Sequence, residues 1–318
     1  MRIFITGADG FIGQHMVERL KDKHELEFLS EDLRDHAKVA MQVSTFDPEI
    51  IVHLAARTEV QDSFYEQITF SEINYVGTVN LIEVASKLPN LKNFVFASTM
   101  EVYGWQPISD IIKEGKEEGI IAFNEATPPN PNAPYAVAKY GCEKYLEYAH
   151  RSYGLPFTAI RQTNAYGRKD NDFFVTEQII TQMLKNPKEI NLGYGEPYRN
   201  FIYIDDLLDA WETVINNPEK CAGEIFCIGP DNAIKIKDYV KMIADKLGWN
   251  GHVNWNTKPP RPGEIFLLNS TNHKITTRLG WVPKVELSEG LDRTIANWKE
   301  ILEKDLPYNQ DRRFSKGK

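Results

Sequence analysis

The chain contains 318 residues, of which 42% are hydrophobic and 26% charged, and its formal net charge is −8 at pH 7. This composition is that of a folded globular protein and excludes a disordered or fibrous class. The acidic balance argues against a nucleic-acid surface, since phosphate backbones are bound by basic stripes. The length allows one large α/β unit with a smaller second domain.

The sequence predicts neither a membrane span nor a secretion signal. It contains no run of about 18 apolar residues, the length that a spanning helix requires. Met1–Ile5 is a short apolar segment that leads into a glycine turn, which is not the pattern of a signal peptide. The sequence contains three cysteines, which is an odd number, and their spacing fits neither a metal site nor a disulfide framework. They are Cys142, Cys221 and Cys227. We therefore expect a cytoplasmic protein with buried or half-buried thiols.

Short apolar runs alternate with helix-period segments over the first hundred residues. Such runs are typical of buried strands, and the segments between them have the spacing of amphipathic helices. The helices are predicted to begin near Phe11 and near Asp35, and a third lies within Phe70–Lys87. The predicted strands are Arg2–Thr6, Leu26–Leu29, Ile50–Ala55 and Asn93–Ala97. This order predicts the α/β class, as a doubly wound parallel sheet of the Rossmann type.

The periodicity stops between Gly104 and Pro134, where the chain is polar and becomes rich in proline. We predict a long surface excursion with a short helix here, and it carries the charge run Lys113–Glu118. Regular structure resumes with a helix over Ala133–Tyr153, followed by the strand Phe157–Arg161.

The elements that follow Asn164 are shorter and no longer alternate regularly. We predict a cofactor-binding domain over residues 1–165, to which later segments at about 200–230 contribute. Residues 166–318 then form mainly a smaller, interleaved substrate-binding domain. Helices are predicted over Phe173–Lys185, Asp205–Asn216 and Ile236–Leu247 and twice more near the C-terminal end, and strands near Ile190, over Phe201–Ile204 and over Glu224–Ile228.

A glycine motif, TGADGFIG, follows the first strand and opens the first helix. This is the context in which such a motif binds a dinucleotide. Gly7 permits a tight turn, Gly10 lets the backbone approach a pyrophosphate, and Gly13 allows the helix to lie close to the sheet. The helix N-terminus at Phe11 and Ile12 then faces the phosphates. A plain turn with a helix cap is the alternative, because the spacing GxxGxxG also occurs in ordinary turns.

The residues after the second strand predict which dinucleotide is bound. An acidic residue at this place commonly holds the adenosine ribose, and Asp32, followed by Leu33, takes it here. No basic cluster that would bind a 2′-phosphate precedes it. We therefore predict NAD, and Arg34 leaves NADP as the less favoured alternative.

Leu54, Ala55 and Ala56 come at the end of the third predicted strand. Small residues there would let a cofactor pass over the edge of the sheet, so we include all three among the candidate cofactor contacts. Core packing is an equally good interpretation of the two alanines.

Tyr135 and Lys139 are four residues apart on a predicted helix, so both side chains project from one face. A nearby ammonium favours the phenolate, and we expect the Tyr135 pKa to be lowered from about 10 toward neutrality, where tyrosine is a usable general base. Ser98 and Thr99 follow a central strand, at the edge where open α/β sheets bind ligands. A hydroxyl at that edge can hold the substrate oxygen while Tyr135 takes its proton.

Three segments together resemble the extended short-chain dehydrogenase/reductase family in its nucleotide-sugar epimerase/dehydratase branch. They are the glycine motif, Phe94–Gly104 and Tyr135–Lys139, and the resemblance extends over essentially the whole chain. It implies that Thr99, Tyr135 and Lys139 form the catalytic set and that Lys139 also binds the nicotinamide ribose. It further implies that Tyr135 removes the proton of the sugar 4-hydroxyl while a hydride passes from C4 to NAD, which gives a 4-keto sugar.

Glu101 distinguishes the members of this branch. The resemblance implies a 4,6-dehydratase or a related decarboxylase, because these carry Ser-Thr-x-Glu-Val-Tyr-Gly, whereas simple 4-epimerases have a small or hydroxyl residue at this place. Two residues beyond Thr99 on an extended segment, the Glu101 carboxylate would point to the same side and could take the C5 proton once C4 is a ketone. A glutamate that only caps the backbone or pairs with an arginine is the alternative.

Met100 departs from the pattern of the hexose 4,6-dehydratases. By the resemblance, an aspartate at this place protonates the departing 6-hydroxyl, and methionine cannot donate a proton. Either Glu101 serves as both base and acid, or the elimination has a different outcome, such as a product that keeps a 5,6 double bond.

The resemblance also implies the substrate contacts. Asn164, in the turn after the strand Phe157–Arg161, would reach the diphosphate-sugar, and Arg199 and Arg261 would bind the diphosphate. Guanidinium groups suit bidentate phosphate contacts, although a single arginine is more often part of a surface ion pair.

Two further sets of side chains could contact a nucleotide, and we favour structural roles for both. We interpret Arg168 and Lys169 as a solvated surface pair rather than as phosphate ligands. We interpret Tyr194, Tyr198 and Phe201 as core aromatics rather than as residues that flank a nucleobase.

We therefore predict an NAD-dependent dehydratase that acts on a nucleoside-diphosphate sugar, with the base and the sugar left open. A 4-epimerase, a decarboxylase and a 5,6-dehydratase are the alternatives, and the intact catalytic set disfavours a non-catalytic NAD-binding protein. We expect no metal, nucleic-acid or membrane partner. The resemblance also implies a homodimer in which the helices of Phe70–Lys87 and Ala133–Tyr153 pack against their symmetry mates.

Overall fold

The computed structural model describes residues 1–107, 120–257 and 261–309. The predicted charge run Lys113–Glu118 and the short helix predicted around it lie outside these residues. The strands are β1 (Arg2–Thr6), β2 (Glu25–Phe28), β3 (Ile50–His53), β4 (Asn93–Thr99), β5 (Phe157–Gln162), β6 (Asn164–Tyr166), β7 (Glu189–Asn191), β8 (Tyr198–Arg199), β9 (Phe201–Tyr203), β10 (Glu224–Ile228), β11 (Ile234–Lys235), β12 (His252–Asn254) and β13 (Leu267–Leu268).

The α-helices lie between these strands and after the last of them. They are α1 (Phe11–Leu20), α2 (His36–Phe46), α3 (Val60–Ser63), α4 (Gln67–Ser71), α5 (Gly77–Ala85), α6 (Pro134–Tyr153), α7 (Val175–Lys185), α8 (Ile204–Ile215), α9 (Pro218–Cys221), α10 (Ile236–Leu247), α11 (His273–Leu279) and α12 (Leu287–Glu303). A π-helical turn, Glu72–Val76, joins α4 to α5, and a 3-10 turn, Met100–Tyr103, follows β4.

Six strands form one parallel sheet in the order β10-β5-β4-β3-β1-β2. From β1 the chain first adds β2 on one side and then β3 on the other, so the order reverses between β1 and β3. Ligands of open α/β sheets bind at such a reversal, beyond the carboxyl ends of the strands. The predicted doubly wound parallel sheet is confirmed.

Alternate residues of each central strand enter different cores, because successive side chains of a strand point to opposite faces. Ile3 and Ile5 of β1 pack in one core with Trp211 of α8, while Phe4 packs in the other with Cys142 of α6. The sheet is therefore covered on both faces, which is the reason that its strands are continuously apolar.

Two of the strand ends that differ from the prediction belong to β3 and β4. β3 ends at His53, before the predicted Ala55, because its partner β1 ends at Thr6, the residue paired with His53. β4 continues to Thr99, because β5 pairs with it as far as Thr99. Both differences concern residues at the edge of the sheet where the candidate site lies.

The second half of the chain forms smaller sheets and also returns to the large one. β10 pairs in parallel with β5, so residues 224–228 complete the six-stranded sheet. β6 pairs with β9, β7 with β12, and β8 lies between β11 and β13. The second half of the chain therefore contributes one strand to the sheet that the first half begins.

The π-helical turn places Asn74 inside the protein. The Asn74 amide accepts a hydrogen bond from the Arg57 N–H (2.8 Å) and donates one to the Arg57 carbonyl (2.9 Å). Its backbone carbonyl accepts from the Thr78 hydroxyl (2.7 Å) and from the Cys142 thiol (3.1 Å). A single residue thus ties the loop after β3 to α5 and α6.

Within the described ranges, no helix has both the length and the apolar character needed to cross a membrane. Cys142, Cys221 and Cys227 are buried and unpaired with one another. Burial raises the pKa of each thiol, to about 12 for Cys142 and Cys227 and about 11 for Cys221.

Candidate active site

The glycine motif forms a tight turn between β1 and α1. Gly7 has φ +72°, and a Cβ there would lie 2.7 Å from the backbone nitrogen of Ala55. A Cβ on Gly13 would lie 2.1 Å from the Gly7 carbonyl oxygen, so Gly13 is required by the turn itself. The close approach that Gly13 permits is between the first turn of α1 and Gly7 and Ala8, the residues that directly follow β1. Around Gly10 only the Gly7 carbonyl is near, at 3.3 Å from an added Cβ.

The N-terminus of α1 fits an anionic ligand. Its N-cap residue is Gly10, and no side chain caps it. Gly10 donates its N–H to the Gly7 carbonyl, while the N–H groups of Phe11, Ile12 and Gly13 have no backbone acceptor within the described part of the chain. Such groups, with the helix dipole, form a binding site for phosphate. This turn therefore fits the pyrophosphate of a dinucleotide.

The two residues predicted to lie near the adenosine differ in exposure. Asp32 is exposed, and its Oδ2 accepts a hydrogen bond of 2.6 Å from Arg34 Nη2. This bond lowers the pKa of the Asp32 carboxyl. Leu33 is buried in the core, where its Cβ lies against the backbone of Gly77.

Leu54, Ala55 and Ala56 lie just beyond the end of β3, beside the glycine turn. The Ala55 N–H donates to the Thr6 hydroxyl at 3.2 Å. The same hydroxyl lies 2.6 Å from Nδ1 of His53, a buried residue that the sequence did not mark as functional. Burial lowers the pKa of His53 to about 3, so its imidazole is neutral at physiological pH.

Tyr135 and Lys139 lie on the first turns of α6 and are both buried. Pro134 occupies the first turn, where its missing N–H is no loss, and so fixes where the helix begins. Lys139 donates from Nζ to the carbonyl of Ala97 on β4 at 2.9 Å. Burial lowers its pKa to about 8. The lysine thereby fastens α6 to the strand that ends at Thr99.

The expected pKa shift of Tyr135 is wrong in direction. Burial raises the pKa of the Tyr135 phenol, the Glu101 carboxylate raises it further, and a hydrogen bond with Thr99 opposes both. Lys139 is not among the groups that lower it, because its ammonium is bonded to the Ala97 carbonyl. The protein alone therefore keeps Tyr135 protonated.

Ser98 and Thr99 have different surroundings, although both follow the apolar part of β4. Ser98 is buried and donates its hydroxyl to the Glu143 carboxylate of α6. Glu143 also accepts two hydrogen bonds from Arg161 of β5, at 2.9 and 2.7 Å. Only Thr99 lines the cavity at the carboxyl ends of β4 and β5, so of the two hydroxyls it alone can contact a substrate.

This cavity is small, with a volume of about 40 Å³. Of the predicted catalytic and substrate residues, Thr99, Met100, Glu101 and Asn164 line it. Among the described residues, Glu101 Oε2 has no hydrogen-bond partner, and neither has the Thr163 hydroxyl oxygen. The complete lining is Thr99, Met100, Glu101, Gln162, Thr163, Asn164, Asn200 and Leu268.

Glu101 reaches this cavity by a route that differs from the expected one. Thr99 is extended, but Met100–Tyr103 is a 3-10 turn, so an extended segment does not account for the shared direction of the two side chains. The turn is stabilised by the Thr99 hydroxyl, which accepts a hydrogen bond from the Glu101 N–H at 3.2 Å. Met100 is buried and packs with Tyr103 in a separate apolar cluster.

The predicted substrate residues lie on two strands and one loop of the second half, with Arg261 in the loop before β13. Asn164 begins β6 and donates from Nδ2 to the Asn200 carbonyl at 3.1 Å. Arg199 is buried and pairs with Glu264 at 3.1 Å. Burial lowers the pKa of Arg199, Glu264 raises it, and the charge of Arg261 lowers it. Arg199 and Arg261 therefore lie close enough for the charge of one to act on the pKa of the other.

Arg168 corrects the interpretation of a solvated pair. Its guanidinium carbon lies 4.2 Å from the ring centroid of Phe11 and 3.7 Å from that of Phe174, and the residue is buried. Lys169 is exposed. The three candidate aromatics also differ, since Phe201 stacks on Tyr239 at 4.0 Å in the core, Tyr198 is buried, and Tyr194 is 39% exposed.

The sequence reasoning did not identify Gln162, Thr163, Asn200 or Leu268. The first two precede Asn164 at the carboxyl end of β5, and this position was a usable signal. Asn200 and Leu268 come from β-segments far along the chain, and no motif marks them. No group of His, Cys, Asp and Glu suited to bind a metal occurs among the described residues.

Comparison with known proteins agrees with this geometry. The human dTDP-D-glucose 4,6-dehydratase is 27% identical over 349 residues, an alignment that covers 96% of this chain and 94% of that protein. The structure of the Thermotoga maritima UDP-glucose 4-epimerase with UDP-glucose is 28% identical, with a TM-score of 0.83, and covers 95% of this chain and 100% of that chain.

A second structure, of the Thermus thermophilus UDP-glucose 4-epimerase in complex with NAD, is 27% identical with a TM-score of 0.83, and covers 94% of this chain and 99% of that chain. Residues 3–229 match the model of the NAD dependent epimerase/dehydratase family. The match covers more than half of the chain and confirms the resemblance seen in the sequence. The chain is therefore an enzyme of the NAD dependent epimerase/dehydratase family.

Proposed function

We propose that the enzyme is an NAD-dependent nucleotide-sugar dehydratase of the 4,6 type that acts through a 4-keto intermediate. The observation that carries this proposal is the free oxygen of Glu101. Its carboxylate lines the cavity beside Thr99, and Oε2 has no hydrogen-bond partner among the described residues. A buried acceptor without a donor is costly, and a substrate group next to Glu101 would supply the missing contact.

The first step is oxidation at C4 of the sugar. Thr99 would hold the 4-hydroxyl by a hydrogen bond, and Tyr135 would take its proton while the C4 hydride leaves. Bound NAD, in its oxidised form, supplies the hydride acceptor and a positive charge that favours the phenolate. That charge would act against the burial that raises the pKa of Tyr135 in the protein alone.

The second step is elimination of water. Once C4 is a ketone, the C5 proton is acidic, and the Glu101 carboxylate can take it. The electrons of the C5–H bond form a C5–C6 double bond as the C6–O bond breaks. Glu101, now protonated, can give the same proton to the departing hydroxyl, so that one water leaves. The hydride taken from C4 would then be returned to C6 while C5 is protonated, which would give a 4-keto-6-deoxy sugar and restore the oxidised cofactor. No other carboxylate lines the cavity in the described part of the chain, so one glutamate would serve as both base and acid.

Met100 supports a second outcome of the same chemistry. Its side chain lines the cavity but has no proton to give, and it makes the wall next to Glu101 apolar. A product that keeps the 5,6 double bond, with the hydride returned to C4, is the alternative to a 4-keto-6-deoxy sugar. A 4-epimerase or a decarboxylase would leave Glu101 without this role.

The proposed ligand contacts follow the observed geometry. The turn from Gly7 to Gly13 would hold the pyrophosphate of NAD and Asp32 the adenosine ribose, which favours NAD over NADP because a carboxylate repels a 2′-phosphate. Asn164 would contact the diphosphate-sugar, and Arg199 and Arg261 the diphosphate. We propose a nucleoside-diphosphate sugar as substrate.

We further propose a domain division, a homodimer and a cytoplasmic location. Residues 1–165 with about 200–230 would bind the cofactor, and 166–318 mainly the substrate.

Exposed apolar side chains on α4 and α6, among them Ile68 (75% exposed) and Val137 (55%), support a helix-mediated dimer. A molar mass of one chain in light scattering would contradict it. The buried thiols agree with a reducing compartment.

The product mass tests the proposed reaction. The enzyme is incubated with NAD and with uridine, thymidine, guanosine and cytidine diphosphate sugars in turn. The molecular mass of each product is then measured by mass spectrometry. We expect one sugar to lose the mass of one water, and Glu101→Gln to abolish this loss. Tyr135→Phe should lower the rate by about a thousandfold or more, since it removes the base for the first step. An unchanged mass with altered stereochemistry would instead establish an epimerase.

A further inference from the structure

Arg168 joins the second half of the chain to the glycine turn. Its guanidinium lies between two phenyl rings, 3.7 Å from the centroid of Phe174 and 4.2 Å from that of Phe11. Phe174 is the N-cap residue of α7, and Phe11 is the first residue of α1. A planar cation between two aromatic faces is an attractive contact that fixes both rings.

Arg168 Nη1 donates a hydrogen bond of 2.6 Å to the Ala165 carbonyl, and the charge partner of Arg168 is the buried carboxylate of Glu177, which is only partly satisfied. Glu177 Oε2 lies 3.5 Å from Arg168 Nη1, while Glu177 Oε1 accepts hydrogen bonds of 3.0 Å from the N–H groups of Gly167 and Arg168. Among the described residues, Arg168 Nε and Glu177 Oε2 have no hydrogen-bond partner. A buried ion pair of this kind stabilises a fold no better than apolar side chains would. Stability alone therefore does not account for the pair.

The position of the pair suggests what it does. Arg168 comes two residues after β6, whose first residue, Asn164, lines the sugar cavity. On its other side it contacts Phe11, in the helical turn whose N–H groups lack backbone acceptors. The guanidinium thus lies between the two regions to which we assign sugar and cofactor.

We propose that Arg168 is a positioning residue for the dinucleotide. Stacked on Phe11 and held by Glu177, it fixes the first turn of α1 in the orientation that receives the pyrophosphate. This inference rests on the proposed function only in taking the glycine turn as the cofactor site, and it does not depend on which reaction the enzyme catalyses.

The test measures NAD binding by isothermal titration calorimetry, together with the melting temperature of the protein without cofactor. Arg168→Met should raise the dissociation constant for NAD about tenfold or more, and Arg168→Lys, which keeps the charge but loses the planar contact, about threefold. The matched control is Arg2→Met, because Arg2 lies 4.6 Å over the ring of Phe46 at the opposite end of β1. The control should change the constant less than about twofold.

A double substitution separates positioning from a general effect on folding. If Arg168 acts through Phe11, then Phe11→Leu with Arg168→Met should weaken NAD binding no more than the more damaging single change. Losses that multiply would overturn the proposal. So would unchanged NAD affinity in a variant with a lower melting temperature. If Arg168→Met does not fold, Arg168→Lys carries the same comparison.

The failure of this inference and of the proposed function can be told apart. A product other than the expected dehydration product contradicts the proposed reaction. It does not change the conclusion about the role of Arg168 in NAD binding. A parent protein that binds neither NAD nor NADP overturns both proposals.

Discussion

Among the described residues, two arginine–glutamate pairs have both side chains buried, and they differ in how completely they are hydrogen-bonded. Arg161 meets Glu143 through two hydrogen bonds, and Ser98 donates a third to the same carboxylate. Arg168 and Glu177 approach only to 3.5 Å, and each keeps a polar atom without a partner among the described residues. The first pair joins β4, β5 and α6, and the second lies between the first residue of α1 and the end of β6.

This difference indicates different roles for the same two residue types. A charge that is fully hydrogen-bonded within the protein has no capacity left for a ligand, and its loss leaves the partner buried and unpaired. Lys139 gives a third case, since its ammonium is buried and bonded to one carbonyl, with no carboxylate within 4 Å in the described ranges. Measurements on all three groups test whether the hydrogen bonding of a buried charge indicates its role.

The largest effect is expected for Glu143→Gln. The change removes the charge that balances Arg161, and breaking a buried pair in this way costs about 3–5 kcal/mol of unfolding free energy. Urea unfolding gives that quantity. Glu147→Gln is the control on the same helix, because Glu147 pairs with Lys144 nearer the surface and should lose less than about 1 kcal/mol. Equal losses in both variants would remove the distinction between buried and surface pairs.

Lys139→Met should alter the pH dependence of stability. The pKa of Lys139 is lowered from 10.5 to about 8 by burial, so the folded protein releases the proton more easily than the unfolded chain. The cost of burying the ammonium is present below pH 8 and disappears as pH rises toward 10.5. Stability relative to the methionine variant should therefore rise by about 3 kcal/mol over that window.

Urea titrations at pH 7 and pH 10 without cofactor measure this difference. Lys144→Met is the control, since Lys144 is a half-exposed lysine of the same helix. A difference between parent and Lys139→Met that stays constant with pH would mean that the ammonium is not penalised by burial.

The smallest effect is expected for Arg168→Met combined with Glu177→Gln. The glutamine keeps an amide oxygen for the N–H groups of Gly167 and Arg168, while both charges are removed together. A buried pair replaced in this way changes stability by about 1 kcal/mol or less. Unfolding in urea without cofactor checks it, and a loss as large as that of Glu143→Gln would show that the two pairs are equivalent.

The sequence predicted the large sheet because its strands are apolar throughout and are separated by helices of regular period. Phe4, Ile51 and Phe94 needed only local pattern to be placed in the core. The helix that carries Tyr135 and Lys139 was equally readable, since these two residues are one helical turn apart. These predictions depend on residues that are neighbours along the chain.

The errors concern contacts between residues far apart in sequence. The partner of Lys139 is a backbone carbonyl of β4, which no side-chain pattern reveals, and so the direction of the Tyr135 pKa was misjudged. Arg168 looked solvated because the rings that bury it, Phe11 and Phe174, carry no signal of that contact. The 3-10 turn after Thr99 likewise depends on a local hydrogen bond that spacing alone does not encode.

The π-helical turn at Glu72–Val76 restricts the number of residues in this segment as strongly as it restricts which residues occur there. A π turn holds one residue more than an α turn, so deleting one residue here would restore regular α-helix and rotate the rest of the helix by about 100°. Asn74 could then no longer face Arg57, and the loop after Ala56 would lose both amide hydrogen bonds. Homologues that share this loop should therefore tolerate substitutions in the turn far better than insertions or deletions.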